Sequence, residues 1–122
     1  MNGNQVVGRA VAKYLRISPK KVKPVLDLIR GKTVEEAKWT LTFLPKKKAA
    51  NLILKTLKSA YDSYKQKASP DARPENEVVI TLAKVDRGPI LKRWRAAWRG
   101  RAVMIRRRLS HITIEVAEAE RG

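Results

Sequence analysis

The chain contains no cysteine, one histidine, one phenylalanine, and 11 acidic residues against 28 basic ones in a length of 122. The missing thiol removes disulfide scaffolds, thiolate metal sites and cysteine nucleophiles together, and it is compatible with a reducing compartment. A lone histidine, His111, with no carboxylate cluster beside it leaves no general acid–base pair in view. No apolar run approaches the roughly 20 residues of a membrane span, and the opening MNGNQVVGRAVAKY lacks the apolar core of a secretion signal. Neither a Gly-rich phosphate cradle nor a metal-ligand spacing is present. These absences lead us to expect a soluble, intracellular protein with no catalytic residue, cofactor, metal or membrane partner. There is no internal repeat and no low-complexity tract, and the one break in composition is the polar run from Gln66 to Asn76.

What is present is positive charge, a formal +17 with a pI near 10.8. Charge of this size speaks to partners rather than to fold, and the natural partner is a polyanion. Nucleic acid, an anionic membrane surface and an acidic polysaccharide all qualify. The stretch from Arg87 to Ile114 narrows the choice, because it holds nine Lys or Arg residues and two Trp with no Asp or Glu. Cations interleaved with aromatic planes suit single-stranded or irregular RNA, where charges neutralise phosphates and rings stack on bases.

Taken in order, residues 6–16 alternate loosely, with Val7, Val11 and Leu15 on one side and Arg9, Lys13 and Arg16 near a surface, which predicts a strand. Ser18 can cap a helix that begins at Pro19, buries Val22, Val25, Leu26 and Ile29, and ends before Gly31. Pro24 lies one turn inside it, which predicts a local bend or a shortened first turn. Its other face carries Lys20, Lys21, Lys23 and Arg30, either as a solvated surface or as an anion site. The two lysines of the first turn conflict with the positive end of the helix dipole, and an external anion would relieve that conflict.

Thr33-Val34-Glu35-Glu36 reads as a capping box for a second helix, which Pro45 stops. Lys46, Lys47 and Lys48 open a third, longer helix with Ala50, Ile53, Leu54, Leu57, Tyr61 and Tyr64 as its buried stripe. Residues 77–86 have the composition of a central strand buried on one side, and His111 to Val116 alternates with Ile112, Ile114 and Val116 facing the core. Residues 117–122 read as a frayed tail.

The basic stretch admits two structures. Leu91, Trp94, Trp98, Ala102, Ile105 and Leu109 recur with helical period, which would suit a membrane surface. Gly100 and the run Arg106-Arg107-Arg108 count against that helix. The other reading is a hairpin continuing from the flanking strands, with its tip near 95–99.

Four segments resemble the universal large-subunit ribosomal protein twenty-two family of bacterial type. They are Ala12-Lys13-Tyr14-Leu15-Arg16-Ile17-Ser18-Pro19-Lys20-Lys21-Val22, Asp27-Leu28-Ile29-Arg30-Gly31-Lys32, Val85-Asp86-Arg87-Gly88-Pro89 leading into Lys92-Arg93, and Gly100-Arg101-Ala102 followed by Ser110-His111-Ile112-Thr113. The resemblance implies an α+β fold, with three helices packed on a small three-stranded antiparallel sheet and a long projecting basic β-hairpin. It implies one domain, with a body of about 6–86 plus 110–117, a hairpin of about 87–109 and frayed termini. The chain departs from the usual pattern at Pro24, at Trp94-Arg95-Ala96-Ala97-Trp98 and at Val103.

The function so implied is that of a monomeric structural constituent of the large ribosomal subunit, in a bacterial cytoplasm or an organelle. It would bind several domains of large-subunit rRNA, assist assembly and line the polypeptide exit tunnel. Its hairpin would contact the nascent polypeptide and the fourth large-subunit protein at the constriction. The expected RNA-binding residues are Arg9, Lys13, Arg16, Ser18, Lys20, Lys21, Lys23, Arg87, Lys92, Arg93, Arg95, Arg99, Arg101, Arg106, Arg107, Arg108, Ser110 and His111, with Trp94, Ala96 and Trp98 at the tunnel tip. For both Trp residues, packing across the tip and base stacking remain open. His111 reads as a structural or RNA-contacting side chain. An architectural DNA-binding protein with basic β-ribbon arms is the alternative from another class.

Overall fold

The computed structural model describes residues 6–89, 91–96 and 102–119, and within 91–96 and 102–107 it describes the backbone only. Five strands and three α-helices follow in the order β1 (Val7–Leu15), α1 (Pro19–Ile29), α2 (Val34–Phe43), α3 (Lys47–Ala68), a 3-10 turn at Glu75–Glu77, β2 (Val78–Arg87), β3 (Leu91–Ala96), β4 (Ala102–Arg107) and β5 (Ser110–Glu118). β1, β5 and β2 form an antiparallel sheet in that order, and β3 pairs with β4 in a separate two-stranded ribbon. The α+β architecture read from the sequence is therefore the architecture observed.

The central strand is β5, not the expected residues 77–86, which lie at an edge as β2. The correction has a physical basis in register: Thr113 is flanked by Val11 on one side and Lys84 on the other and is almost fully buried although it faces away from the helices. β2 carries an irregularity between Ile80 and Leu82 that shifts its phase, so the buried set is Val78, Ile80 and Ala83 rather than Val78, Ile80 and Leu82. A bulge moves every later side chain to the other face, and simple alternation cannot show it.

α3 lies against β1 and β5, α1 against β2, and α2 against both other helices. Val22, Val25, Leu26 and Ile29 from α1 meet Ile53, Leu57 and Tyr64 from α3 over Ile112, Ile114 and Val116 of β5. β1 turns its small residues Gly8, Ala10 and Ala12 inward and leaves Val11 exposed, the reverse of what residue size suggests. The reason is the approach of α3. A Cβ on Gly8 would stand 2.2 Å from the Ala60 carbonyl oxygen and 2.6 Å from the Tyr64 amide nitrogen.

Helix ends follow the expected chemistry in part. The Thr33 hydroxyl accepts from the Glu36 amide at 3.2 Å, the first half of a capping box. Ser18 occupies the N-cap of α1, but its hydroxyl makes no capping bond. Gly31 adopts φ +83°, and its amide donates to Ile80 O at 3.2 Å, so it joins the helix end to β2. α1 runs unbroken from Pro19 through the exposed Pro24, so its first turn is not shortened.

The C-terminal residues 117–119 are held rather than frayed. β5 reaches Glu118, whose carboxylate accepts from the Tyr64 hydroxyl at 3.0 Å and pairs with Arg73 at 3.0 Å, and the Ala119 amide donates to Glu77 O at 2.9 Å. Tyr64 also accepts from the Arg73 amide, and Tyr61 donates to Arg73 O, each at 2.9 Å. Burial raises the Tyr64 pKa above its ordinary value, with Glu118 adding to the rise and Arg73 opposing it. Tyr61 is raised by burial and then by Glu75 and Asp62. A folded-state pKa above the unfolded value of about 10 means stability that is present below pH 10 and lost as pH rises through the folded pKa. Urea unfolding midpoints are expected to be flat from pH 8 to about 9 and to fall above about 10, and the Y61F/Y64F pair should flatten that alkaline fall.

Candidate nucleic-acid interface

The chain enters and leaves the β3–β4 ribbon beside the N-terminus of α1. At the ribbon's base Arg87 pairs in register with Ser110, and the Gly88 amide donates to Leu109 O at 2.8 Å. Ser110 is completely buried, and its hydroxyl donates to Ile17 O at 2.5 Å. It ties β5 to the loop before α1, and its side chain is enclosed by the body rather than turned to the groove. The spacing of an S-H-I-T segment cannot distinguish a buried hydroxyl from an exposed one.

His111 is also held from within. Its Nδ1 accepts from the Tyr14 amide at 3.0 Å, and its ring meets the Tyr14 ring edge-on with centroids 4.9 Å apart. Tyr14 has φ +58°, a conformation disfavoured for a residue with a side chain, and the bond its amide donates to His111 helps to hold it there. Gly88 lies beneath the imidazole, where a Cβ would come within 3.3 Å of its Cε1 and Nε2. The histidine thus pins β1 to the root of the ribbon.

Around this root the cations gather. An open groove of about 750 Å³ is lined by Arg16, Ile17, Ser18, Lys21, Lys46, Lys47, Lys48, Ala49 and Arg108. A smaller notch of about 140 Å³, sharing Arg108, is lined by Pro19, Lys20, Arg87, Gly88 and Leu109. Among the described residues no carboxylate lines either one. The groove also receives the N-termini of two helices, α1 and α3, neither of which has an acidic residue in its first turn or a side-chain cap. The positive dipole ends of the two helices add to the field of the side chains.

Of the expected contacts, Arg16, Ser18, Lys20, Lys21, Arg87 and Arg108 come together here. Lys13 and Lys23 are exposed outside the groove, and Arg9 faces Glu115 across the sheet at 3.5 Å, so its charge is already matched. Lys92, Arg93 and Arg95 lie on β3 and Arg106 and Arg107 on β4, while Arg99, Arg101 and Trp98 lie outside the described residues. Trp94 is opposite Met104 and Ala96 opposite Ala102, so Arg95 and Ala96 belong to a paired arm rather than to the turn expected at 95–99. The helical reading of the basic stretch is overturned, since both arms are strands in continuous antiparallel register.

Sequence reasoning missed Lys46, Lys47 and Lys48, which read as the opening of a scaffold helix. The signal was available: three lysines in the first turn carry the same dipole conflict that marked Lys20 and Lys21. Among the described residues no group of three or more His, Asp or Glu could hold a metal ion, and no helix is long and apolar enough to cross a membrane.

Residues 10–117 match the family model described as ribosomal protein L22p/L17e. The chain belongs to that family. Its relatives include the large ribosomal subunit protein uL22 of Carboxydothermus hydrogenoformans, 49% identical over 114 residues that cover 93% of this chain and 97% of the relative. The uL22 protein of Halothermothrix orenii is 46% identical with the same coverage, and that of Deinococcus deserti is 47% identical over 91% of this chain and 77% of its own. Family membership makes the chain a structural ribosomal protein rather than an enzyme. It also replaces the architectural DNA-binding alternative.

Proposed function

We propose that the chain is a structural constituent of the large ribosomal subunit, in the bacterial cytoplasm, that binds several domains of large-subunit rRNA and assists subunit assembly. Its basic ribbon lines the polypeptide exit tunnel, where the far end meets the nascent chain and the fourth large-subunit protein. The observation that carries this reading is the groove at the ribbon's root, where cations from the β1–α1 loop, α1, α3 and the β4–β5 link converge with no carboxylate among the described lining residues.

The ribbon has the same need for an anion. Lys92 is opposite Arg106 in register, and like charges so placed repel. A two-stranded ribbon is marginal alone in water, and six paired residues per arm extend it by about 20 Å. Phosphates along its sides would offset the repulsion, with part of the binding free energy spent on ordering.

The test is ultraviolet crosslinking of salt-washed large subunits, with adducts mapped by mass spectrometry. Adducts to rRNA are expected at Arg16, Lys21 and Arg108 and along Lys92 to Arg107. Binding of free rRNA should weaken with salt at a slope of about −4 to −5, corresponding to six or so phosphate contacts at about −0.7 each for single strands. Absence of the protein from washed large subunits would overturn the proposal.

A further inference from the structure

Beside the groove, α2 presents an aromatic surface that the core does not use. Trp39 and Phe43, one helical turn apart, remain 59% and 73% exposed, yet their rings stack with centroids 5.6 Å apart and planes within 7° of parallel. Large aromatic rings left in water gain nothing for the fold, and such a pair marks a contact. The shelf is continuous with the groove: the Lys47 ammonium, one of the groove's cations, donates to Thr42 O at 2.7 Å, next to Phe43. Lys38 is already paired with Glu75, so the cations left for a ligand here are Lys46, Lys47 and Lys48, which have no ion-pair partner among the described residues.

We propose that the Trp39–Phe43 shelf stacks an unpaired base of the same RNA whose phosphates occupy the groove. The proposal rests on the RNA-binding reading above. Two nearly parallel rings offer a flat π face of the kind a base adds to, and the groove lysines reached past Thr42 match a phosphodiester backbone rather than a cationic or neutral partner. Charge and stacking surface are supplied together, within one turn of helix and its neighbouring loop.

The experiment compares the wild-type chain with W39A and F43A in filter binding to a protein-free large-subunit rRNA transcript across a potassium chloride series. Both side chains are exposed, so both variants should keep the wild-type unfolding midpoint within error. Each substitution is expected to weaken binding by about 5- to 100-fold while leaving the salt slope unchanged, because a stacked base releases no counterion. Wild-type affinity in both variants would overturn the proposal and leave the groove reading standing. Unchanged RNA affinity together with loss of a neighbouring protein from subunits assembled with the variants would make the shelf a protein-docking face instead. A wild-type chain that fails to bind the transcript would overturn both readings.

Discussion

Exchanging Lys21, Lys48 and Arg108 for glutamine together is expected to weaken rRNA binding by about 100- to 500-fold at 0.1 M salt and to make the salt slope shallower by about 2 to 3. The three residues come from α1, from the first turn of α3 and from the link between β4 and β5, and all are exposed. None has an ion-pair partner among the described residues. Each is therefore assigned one phosphate, and a phosphate contact contributes about 5- to 8-fold at this salt through counterion release. Stability should change by no more than about 0.5 kcal/mol, since no internal bond is lost and like-charge repulsion declines. The control replaces Lys55, Lys58 and Lys67, which removes the same charge from α3 outside the groove and, among the described residues, breaks no ion pair. An equal loss of affinity in the control would show that total charge, not convergence at the groove, sets the binding.

The groove illustrates where reading the sequence succeeds and where it stops. Arg16, Lys20, Lys21, Arg87 and Arg108 were legible because each stands in a locally basic run or beside a helix start with a dipole conflict. Their meeting was not legible, since it depends on how α3 and the ribbon's return pass the start of α1. Lys46 to Lys48 belong to the site only through that packing. Ser110 shows the opposite limit: its place at the mouth of a basic ribbon is legible in the sequence, and the burial of its hydroxyl is not.

Element types were more legible than their faces. The three helices follow from apolar spacing, from Pro19, Pro45 and Gly31, and from the Thr33 cap. The basic stretch was misleading because its large residues fall at helical intervals by accident of where Trp and Leu occur, while its partner is its own other half. Pairing is a non-local fact that a periodicity window does not contain. β1 shows the same limit on a smaller scale. Its inward face was chosen by the helix above it, and the available clue was the period-two run of small residues Gly8, Ala10 and Ala12.

That clue leads to the largest expected effect on folding. Gly8→Ala should destabilise the protein by about 3 kcal/mol or more, at or above the upper end of the usual cost of overpacking, because the obstacle is backbone. The added Cβ would meet the Ala60 carbonyl and the Tyr64 amide inside 3 Å, and neither can rotate away. Relief requires α3 to lift from β1, which loosens Leu57, Tyr64 and the sheet residues beneath them. Gly31→Ala separates this steric effect from a conformational one. Nothing lies within 4 Å of a Cβ there, but φ is +83°, so the cost should be the roughly 1 to 2 kcal/mol of a left-handed alanine. Urea unfolding of both variants should therefore rank Gly8→Ala well below Gly31→Ala in midpoint. Against a typical total of 5–15 kcal/mol, the former loss is large enough to lower expression as well. If Gly8→Ala proves the milder of the two, α3 is not seated on β1 as closely as the Gly8 contact requires.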